Sequence, residues 1–301
     1  MIQHAISVGR KFGAHLTGIA LECEPSVPGT LFDGAVASIS ATFRAQNRKI
    51  AQAAKDRFDT ATVGLMATAR VVETGAVDAG TAFAEIARNH DVSVIGQAQP
   101  DSDVMEELII EGALFGSGRP VLVVPYIQRT GLKLDRVLVC WDGSRNAARA
   151  TADALPFLER AGSIDVITIQ ERRNELVGAS IAQHLARHSL KVEVKQIVAP
   201  DADTPNVILS CASDLSTDLI VMGGYGHSRL REFVLGGATR GILENMTVPT
   251  HGPLINLSFV TGAGLRSIIP ISSHETNSGE QLGLVPAQRD SCRDHGDRPR
   301  P

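Results

Sequence analysis

Residues 219–239 read LIVMGGYGHSRLREFVLGGAT, and this stretch indicates the fold of the chain. Its first four residues are apolar and predict a buried strand, and a helical pattern from about Ala238 to Asn245 follows its last glycines. Gly223 and Gly226 come directly after the strand, where glycine lets the backbone take positive φ angles and approach a ligand closely. Free N–H groups at a helix start favour phosphate, so this strand–loop–helix unit is a candidate phosphate site.

Strands alternate with helices through the rest of this part of the chain. Strands are predicted at 137–140, 164–169, 192–197 and 219–222, and helices at 146–158, 175–188 and 206–215. This alternation predicts βαβ units and a parallel sheet covered by helices on both faces. In such sheets ligands bind at the carboxyl ends of strands, so the turn Asp142-Gly143-Ser144 can line one crevice with the glycine loop.

The chain repeats this α/β unit. Asp91–Gly96 matches Asp218–Gly223, and Gly13–Leu16 matches Gly162–Asp165. The first copy carries extra residues, which include a long helical pattern from about Ala35 to Met66. Two tandem copies of one unit therefore account for most of the 301 residues.

The repeat and the composition predict four segments. These are a degenerate first domain at 1–126, a linker at 127–133, a second domain at 134–257 and a disordered tail at 258–301. The first domain lacks a counterpart of the 137–140 strand, so we expect a gap or unpaired strand edges in its sheet. The final strand of the second domain is expected to be broken at Thr250-His251-Gly252, which has lost the apolar run of the first copy.

The glycine spacing resembles that of the universal stress protein family, whose pattern is G-x2-G-x9-G-[S/T]. Here Gly223 and Gly226 are followed by nine residues and then Gly236. The resemblance covers about 134–249 well and about 1–126 as a degenerate copy. It implies two tandem Rossmann-like parallel-sheet domains, of the adenine nucleotide alpha hydrolase-like type, in a protein that binds an adenine nucleotide and is usually a dimer.

The resemblance also implies which residues hold the nucleotide. Asp142 would face the adenine or ribose, and Met222 and Gly223 would line the base. Gly237 stands where the family has Ser or Thr, and Thr239 could supply the hydroxyl two residues on. The phosphates would be surrounded by Gly226, His227, Gly236, Gly237 and Ala238. The implied cofactor is ATP or another adenine nucleotide, with no metal of the protein's own.

The equivalent loop of the first copy, Gly96-Gln97-Ala98-Gln99, lacks the second glycine. Acidic residues follow it, beginning with Asp101 and Asp103. Because negative charge there would repel phosphate, we expect no nucleotide in the first domain.

Each candidate residue also has a structural interpretation. The glycine loop can be a set of tight turns without a ligand, and Asp142 can cap the following helix. His227 can be a solvated loop residue, and Trp141 can be a core residue or can fill the base pocket. His184 and His188 lie four residues apart, a spacing that can bind metal, although a solvated helix face is favoured.

Composition narrows the function classes. A net charge of −4 argues against general nucleic-acid binding, and no apolar run reaches the ~20 residues of a membrane span. Four cysteines without a C-x-x-C pair fit a reducing, cytoplasmic setting. The sequence shows no nucleophile–base arrangement. We therefore expect a cytoplasmic stress-response regulator rather than a dedicated enzyme, with slow ATP hydrolysis left open.

The expected partners are a second copy of the chain, as a dimer, and an unidentified regulatory protein. The alternative is a nucleotide-independent stress protein that acts through protein–protein contacts. A search for bound nucleotide distinguishes the two.

Overall fold

A computed structural model describes residues 1–24, 34–98, 104–170, 178–199, 203–224, 237–252 and 267–270. The first half contains α1 (Ile2–Phe12), β1 (His15–Glu24), α2 (Gly34–Ala61), β2 (Ala67–Gly75), α3 (Ala79–Ala87), β3 (Val92–Gly96), α4 (Val104–Glu111) and β4 (Val121–Val124). The rest contains β5 (Arg136–Cys140), α5 (Arg145–Leu158), β6 (Ser163–Gln170), α6 (Ala179–Arg187), β7 (Val192–Val198), α7 (Thr204–Asp214), β8 (Leu219–Met222), α8 (Gly237–Asn245), β9 (Thr250–Gly252) and β10 (Ser267–Pro270).

The strands form one ten-stranded sheet in the order β2-β1-β10-β3-β4-β9-β8-β5-β6-β7. Among these described strands, every pairing is parallel except that of β4 with β9. This confirms the predicted α/β fold with parallel sheets. The second half follows the sequence prediction closely, because each predicted strand and helix overlaps an observed one.

Helices cover both faces of the sheet, as the near-continuous apolar strands predict. Val137 and Val139 pack on one face with residues of α1 and α5, such as Phe157. Leu138 packs on the other face with residues of α3, α7 and α8, such as Phe83. In the first half, α2 ends at Ala61, before the predicted limit at Met66. None of the helices in the described ranges is both long and apolar enough to cross a membrane.

The final strand of the second half is present, so the expectation that it is broken is wrong. Thr250–Gly252 pair in parallel with β8 and antiparallel with β4. His251 lies opposite Leu122 and is fully buried, with its ring 5.2 Å from that of Phe157. A histidine ring can fill a core position when it is neutral, which single-sequence hydrophobicity does not reveal. β4 and β9 therefore join the two halves into one sheet.

The gap expected in the first half is filled. Ser267–Pro270 form β10, which lies between β1 and β3 and pairs in parallel with both. Among the described residues of the first half, none forms a strand at this place, as predicted, but the expectation of a disordered tail is wrong for these four residues. The other residues of 258–301 lie outside the described ranges. The local composition hides this strand, because its pairing partners are far away in the chain.

The antiparallel contact sets the direction of the two halves. Strands of the first half run opposite to those of the second, since β4 and β9 are antiparallel and the other pairings are parallel. The carboxyl ends of β3 and β8 therefore lie at opposite edges of the sheet. The two crevices that the repeat predicts are on opposite sides of the molecule.

Candidate functional site

The strands β5 and β8 end side by side, with Cys140 opposite Met222. Gly223 follows and lies against the first turn of α5. A Cβ atom on Gly223 would be 2.6 Å from the backbone nitrogen of Ala147 and 2.8 Å from the carbonyl carbon of Asn146. No side chain fits at such distances. Glycine is therefore required here by strand–helix packing, in addition to any role toward a ligand.

The turn after β5 is ordered by its own side chains. The backbone N–H of Ser144 donates to Asp142 Oδ1 at 2.8 Å, and Gly143 adopts a positive φ of 76°. The Ser144 hydroxyl accepts from the backbone N–H of Ala147 at 3.1 Å and is the N-cap of α5. The interpretation of Asp142 as the helix cap is therefore wrong. Its carboxylate orders the turn before the helix and is exposed at the carboxyl edge.

Asn146 connects the two loops of this edge. Its side-chain Nδ2 donates to the carbonyl oxygen of Gly224 at 2.6 Å. This bond ties the start of the glycine loop to the first turn of α5. Asn146 could not be identified from the sequence, because it lies among helix formers and no local pattern distinguishes it. The cap at Ser144 did have a signal, since a serine stands just before a run of helix formers.

The helix α8 brings three predicted residues to this edge. It connects β8 to the parallel strand β9, so it begins at the carboxyl edge of β8 and runs back along the sheet. Its first turn contains Gly237, Ala238 and Thr239. Free backbone N–H groups at such a turn attract anions. The other predicted phosphate residues, Gly226, His227 and Gly236, lie outside the described residues.

Met222 and Trp141 lie on opposite faces of the sheet. Met222 is 6% exposed and packs in the core that includes Ile220 and Ile242. Trp141 is half-buried and packs against the other core, on the side of α5. The structure therefore supports the core interpretation of Trp141. With so little exposure, Met222 offers a ligand only a small part of its surface.

Two cysteines of the second half are poor nucleophiles. Burial raises the pKa of the Cys140 thiol far above its usual range, and burial also raises the pKa of Cys211. Both thiols therefore stay protonated near neutral pH, since the thiolate is the reactive form. No group of three or more potential metal ligands occurs in the parts of the chain that the structure describes. His184 and His188 are exposed, with ring centroids 5.1 Å apart.

At the equivalent strand end of the first half, after β3, a side chain bonds to the helix α8. Gln97 follows β3 at the position that corresponds to Gly224, and its side chain is buried. Its Nε2 donates to the carbonyl oxygen of Leu243 at 2.8 Å and to that of Glu244 at 3.2 Å, in the last turn of α8. Its Oε1 accepts from the backbone N–H of Tyr126 at 3.3 Å. No sequence signal could reveal this contact, because Leu243 and Glu244 lie 146 and 147 residues from Gln97 in the chain.

Two halves of one repeated unit, each a parallel sheet between helices, define a Rossmann-like α/β protein with a glycine loop at one carboxyl edge. The model of the universal stress protein family matches residues 133–251. Residues 133–251 therefore form a universal stress protein domain within the chain. A universal stress protein of Synechocystis sp. is 28% identical over 142 residues, which are 44% of this chain and 45% of that protein. The chain thus matches slightly less than half the length of this curated relative.

Two solved structures are similar in fold. A universal stress protein from Archaeoglobus fulgidus superposes with a TM-score of 0.63 at 17% identity, over 84% of this chain and 90% of its own. A functionally unknown protein from Pseudomonas aeruginosa gives a TM-score of 0.50 at 11% identity, over 80% of this chain and 93% of its own. At these identities the likeness concerns the fold alone.

Proposed function

We propose that the second half binds an adenine nucleotide, ATP or AMP, at the carboxyl edge of β5 and β8. The observation that carries this proposal is the glycine spacing of Gly223, Gly226 and Gly236 between β8 and α8. The exposed Asp142 follows β5, the strand that pairs with β8 at this edge of the sheet. The chain then acts as a cytoplasmic stress-response regulator whose conformation or assembly responds to nucleotide.

The donor set of this edge fits a nucleotide. The first turn of α8 offers backbone N–H groups, and the positive end of its dipole favours phosphate. Gly237 has no hydroxyl, and the sequence has a hydroxyl-bearing residue, Thr239, two positions later. The exposed Asp142 carboxylate can accept hydrogen bonds from ribose hydroxyls or from the adenine amino group.

The first half is not proposed as a second nucleotide site. Gln97 is buried at the equivalent strand end and bonds to the last turn of α8. That end of α8 carries the negative pole of the helix dipole, which disfavours a phosphate. One nucleotide per chain is therefore the expected stoichiometry.

The test is calorimetry of the full chain with ATP, together with native mass spectrometry after incubation with excess ATP. The variant Gly226→Asp places bulk and negative charge in the loop and should abolish binding. Its matched control is Gln99→Asp, the equivalent position of the first copy, which should bind as the unmodified chain does. Equal loss of binding in both variants would contradict the assignment to the second half. An unmodified chain that binds no nucleotide would favour the alternative, a stress protein that acts only through protein contacts.

We propose three further properties of this regulator, which concern its enzymatic activity, its partner and its assembly. The chain is not a dedicated enzyme, which an ATPase assay with the bound nucleotide tests directly. It acts on an unidentified regulatory protein rather than on nucleic acid or a membrane. It forms a homodimer, which light scattering with and without ATP tests. Because β4 and β9 already pair within the chain, such a dimer would use β2, β7 or a helix face.

A further inference from the structure

The strand β10 occupies a place in the first half that matches the place of β5 in the second. β5 lies between β6 and β8 and is parallel to both. β10 lies between β1 and β3 and is also parallel to both. Ile268 is opposite Leu16 on one side and opposite Val92 on the other. β10, which comes late in the chain, thus holds the place in the first half that β5 holds in the second.

The slot between β1 and β3 is buried on every side. Leu16 on β1 and Val92, Ser93 and Val94 on β3 are at most 1% exposed. Residues of α1 cover one face of the slot, and residues of α3, including Phe83, cover the other. An empty slot would leave two rows of backbone N–H and C=O groups without partners and out of reach of water. Buried backbone groups are almost always paired, so this slot requires a strand.

The covalent connections of β10 differ from those of β5. Four residues, 141–144, join β5 to its helix α5. The equivalent helix in the first half is α1, which begins at Ile2, at the other end of the chain from β10. From β9 the chain reaches β10 through residues 253–266. This link has to cross β4 and β3, about 14 Å at the usual strand spacing. Fourteen extended residues reach about 46 Å. The number of residues between β9 and β10 therefore does not fix the place of β10 in the sheet, whereas its pairing with β1 and β3 does.

We infer that the slot between β1 and β3 is a strand-acceptor site that binds this chain's own C-terminal strand without needing the covalent link. The same site takes the strand as a separate peptide or from a second copy of the chain. Recognition is by strand addition: backbone hydrogen bonds on both sides of β10 supply affinity, and the helices α1 and α3 exclude unsuitable segments. This inference does not depend on nucleotide binding by the second half.

The experiment uses the full chain with a specific protease site inserted between Gly262 and Ala263. After cleavage, the two fragments should elute together in size-exclusion chromatography. A fluorescent peptide of residues 264–275 should then exchange into the cleaved protein, seen as a rise in anisotropy. The same peptide with Ile269→Pro should not exchange, since proline removes a backbone donor in the middle of a paired strand. Loss of the C-terminal fragment on cleavage, or equal binding of the proline peptide, would overturn the inference.

A second measurement needs no cleavage. Hydrogen exchange in the full chain with Ile269→Pro should show loss of protection at Val92–Val94, while Leu219–Met222 of β8 stay protected. The conservative variant Ile269→Val should keep protection at both places. Unchanged protection at Val92–Val94 in the proline variant would show that β10 does not pair there in solution.

Discussion

The carboxyl ends of β8 and β3 come from the same repeated unit, yet they are surrounded by different groups. After β8, Gly223 packs against α5, and the first turn of α8 lies at the same edge. After β3, Gly96 has open space around it, and Gln97 bonds to the last turn of α8. One edge thus lies near the positive end of α8, and the other receives its negative end.

This difference shows how the two strand ends of a duplicated fold can come to have different surroundings. The strands need only apolar residues to keep the sheet, so both halves retain the frame. The residues directly after each strand differ between the two copies, and they make different contacts with the helices. A single helix, α8, contributes its start to one crevice and its end to the other. The two edges are therefore connected by one helix.

The largest predicted difference between the two strand ends is in the effect of alanine at the equivalent glycines Gly223 and Gly96. Gly223→Ala should lower the free energy of unfolding by about 3 kcal/mol, because its Cβ would overlap the backbone of α5. Gly96→Ala is the matched control and should stay within about 0.5 kcal/mol, since no atom lies within 4 Å of its Cβ. Urea denaturation measures both. Similar losses would mean that the two strand ends do not differ as described.

The stability of the contact between β4 and β9, which we call the seam between the halves, should be sensitive to acid. Burial lowers the pKa of His251 from 6.5 to about 4, so the folded state holds this ring neutral while the unfolded state protonates it below about pH 6.5. Its contribution to stability is therefore complete above pH 6.5 and is lost as the pH falls toward 4. At pH 5 the loss is about 2 kcal/mol.

Urea midpoints at pH 7 and pH 5 measure this effect, with His251→Leu as the control that removes it. His4 in α1 has a similarly lowered pKa of about 4, mainly from burial, so the control variant keeps part of the acid sensitivity. If His251→Leu loses as much stability on acidification as the unmodified chain does, the assignment to the seam is wrong.

Gln97→Leu should cost about 1–2 kcal/mol of unfolding free energy, because it removes donors to the α8 carbonyl oxygens and an acceptor for Tyr126. Gln46→Leu, on the exposed side of α2, is the matched control and should change stability little. Thermal unfolding is sufficient to compare them. If Gln97→Leu leaves the unfolding temperature unchanged, the bonds from Gln97 to the last turn of α8 do not stabilise the protein.

The smallest predicted effect concerns the nucleotide proposal itself. Gly237→Ser restores the hydroxyl that the family has at this position, and one added hydrogen bond to phosphate is worth about 1 kcal/mol. Calorimetry should show ATP affinity rising about fivefold. Adenosine, which has no phosphate, should bind as before. A gain for adenosine as large as that for ATP would place the new hydroxyl near the base or sugar instead.

Much of the frame could be predicted because it depends on local patterns. Short apolar or alternating runs marked the strands of the second half, and the repeat located two matching segments in the first, Gly13–Leu16 and Asp91–Gly96. The turn at Asp142–Ser144 was also identified, although the cap proved to be Ser144. Asn146 and Gln97 could not be found, since their roles depend on partners brought near by folding.

Local patterns were enough to identify an α/β chain, its internal repeat and the glycine spacing of the candidate site. No local pattern predicted that Ser267–Pro270 fill the slot between β1 and β3 or that Thr250–Gly252 join the two halves. These two short strands are stabilised by contacts that form only when the chain folds. A four-residue strand is not stable alone, and its backbone pairing with neighbours distant in the chain makes it a strand.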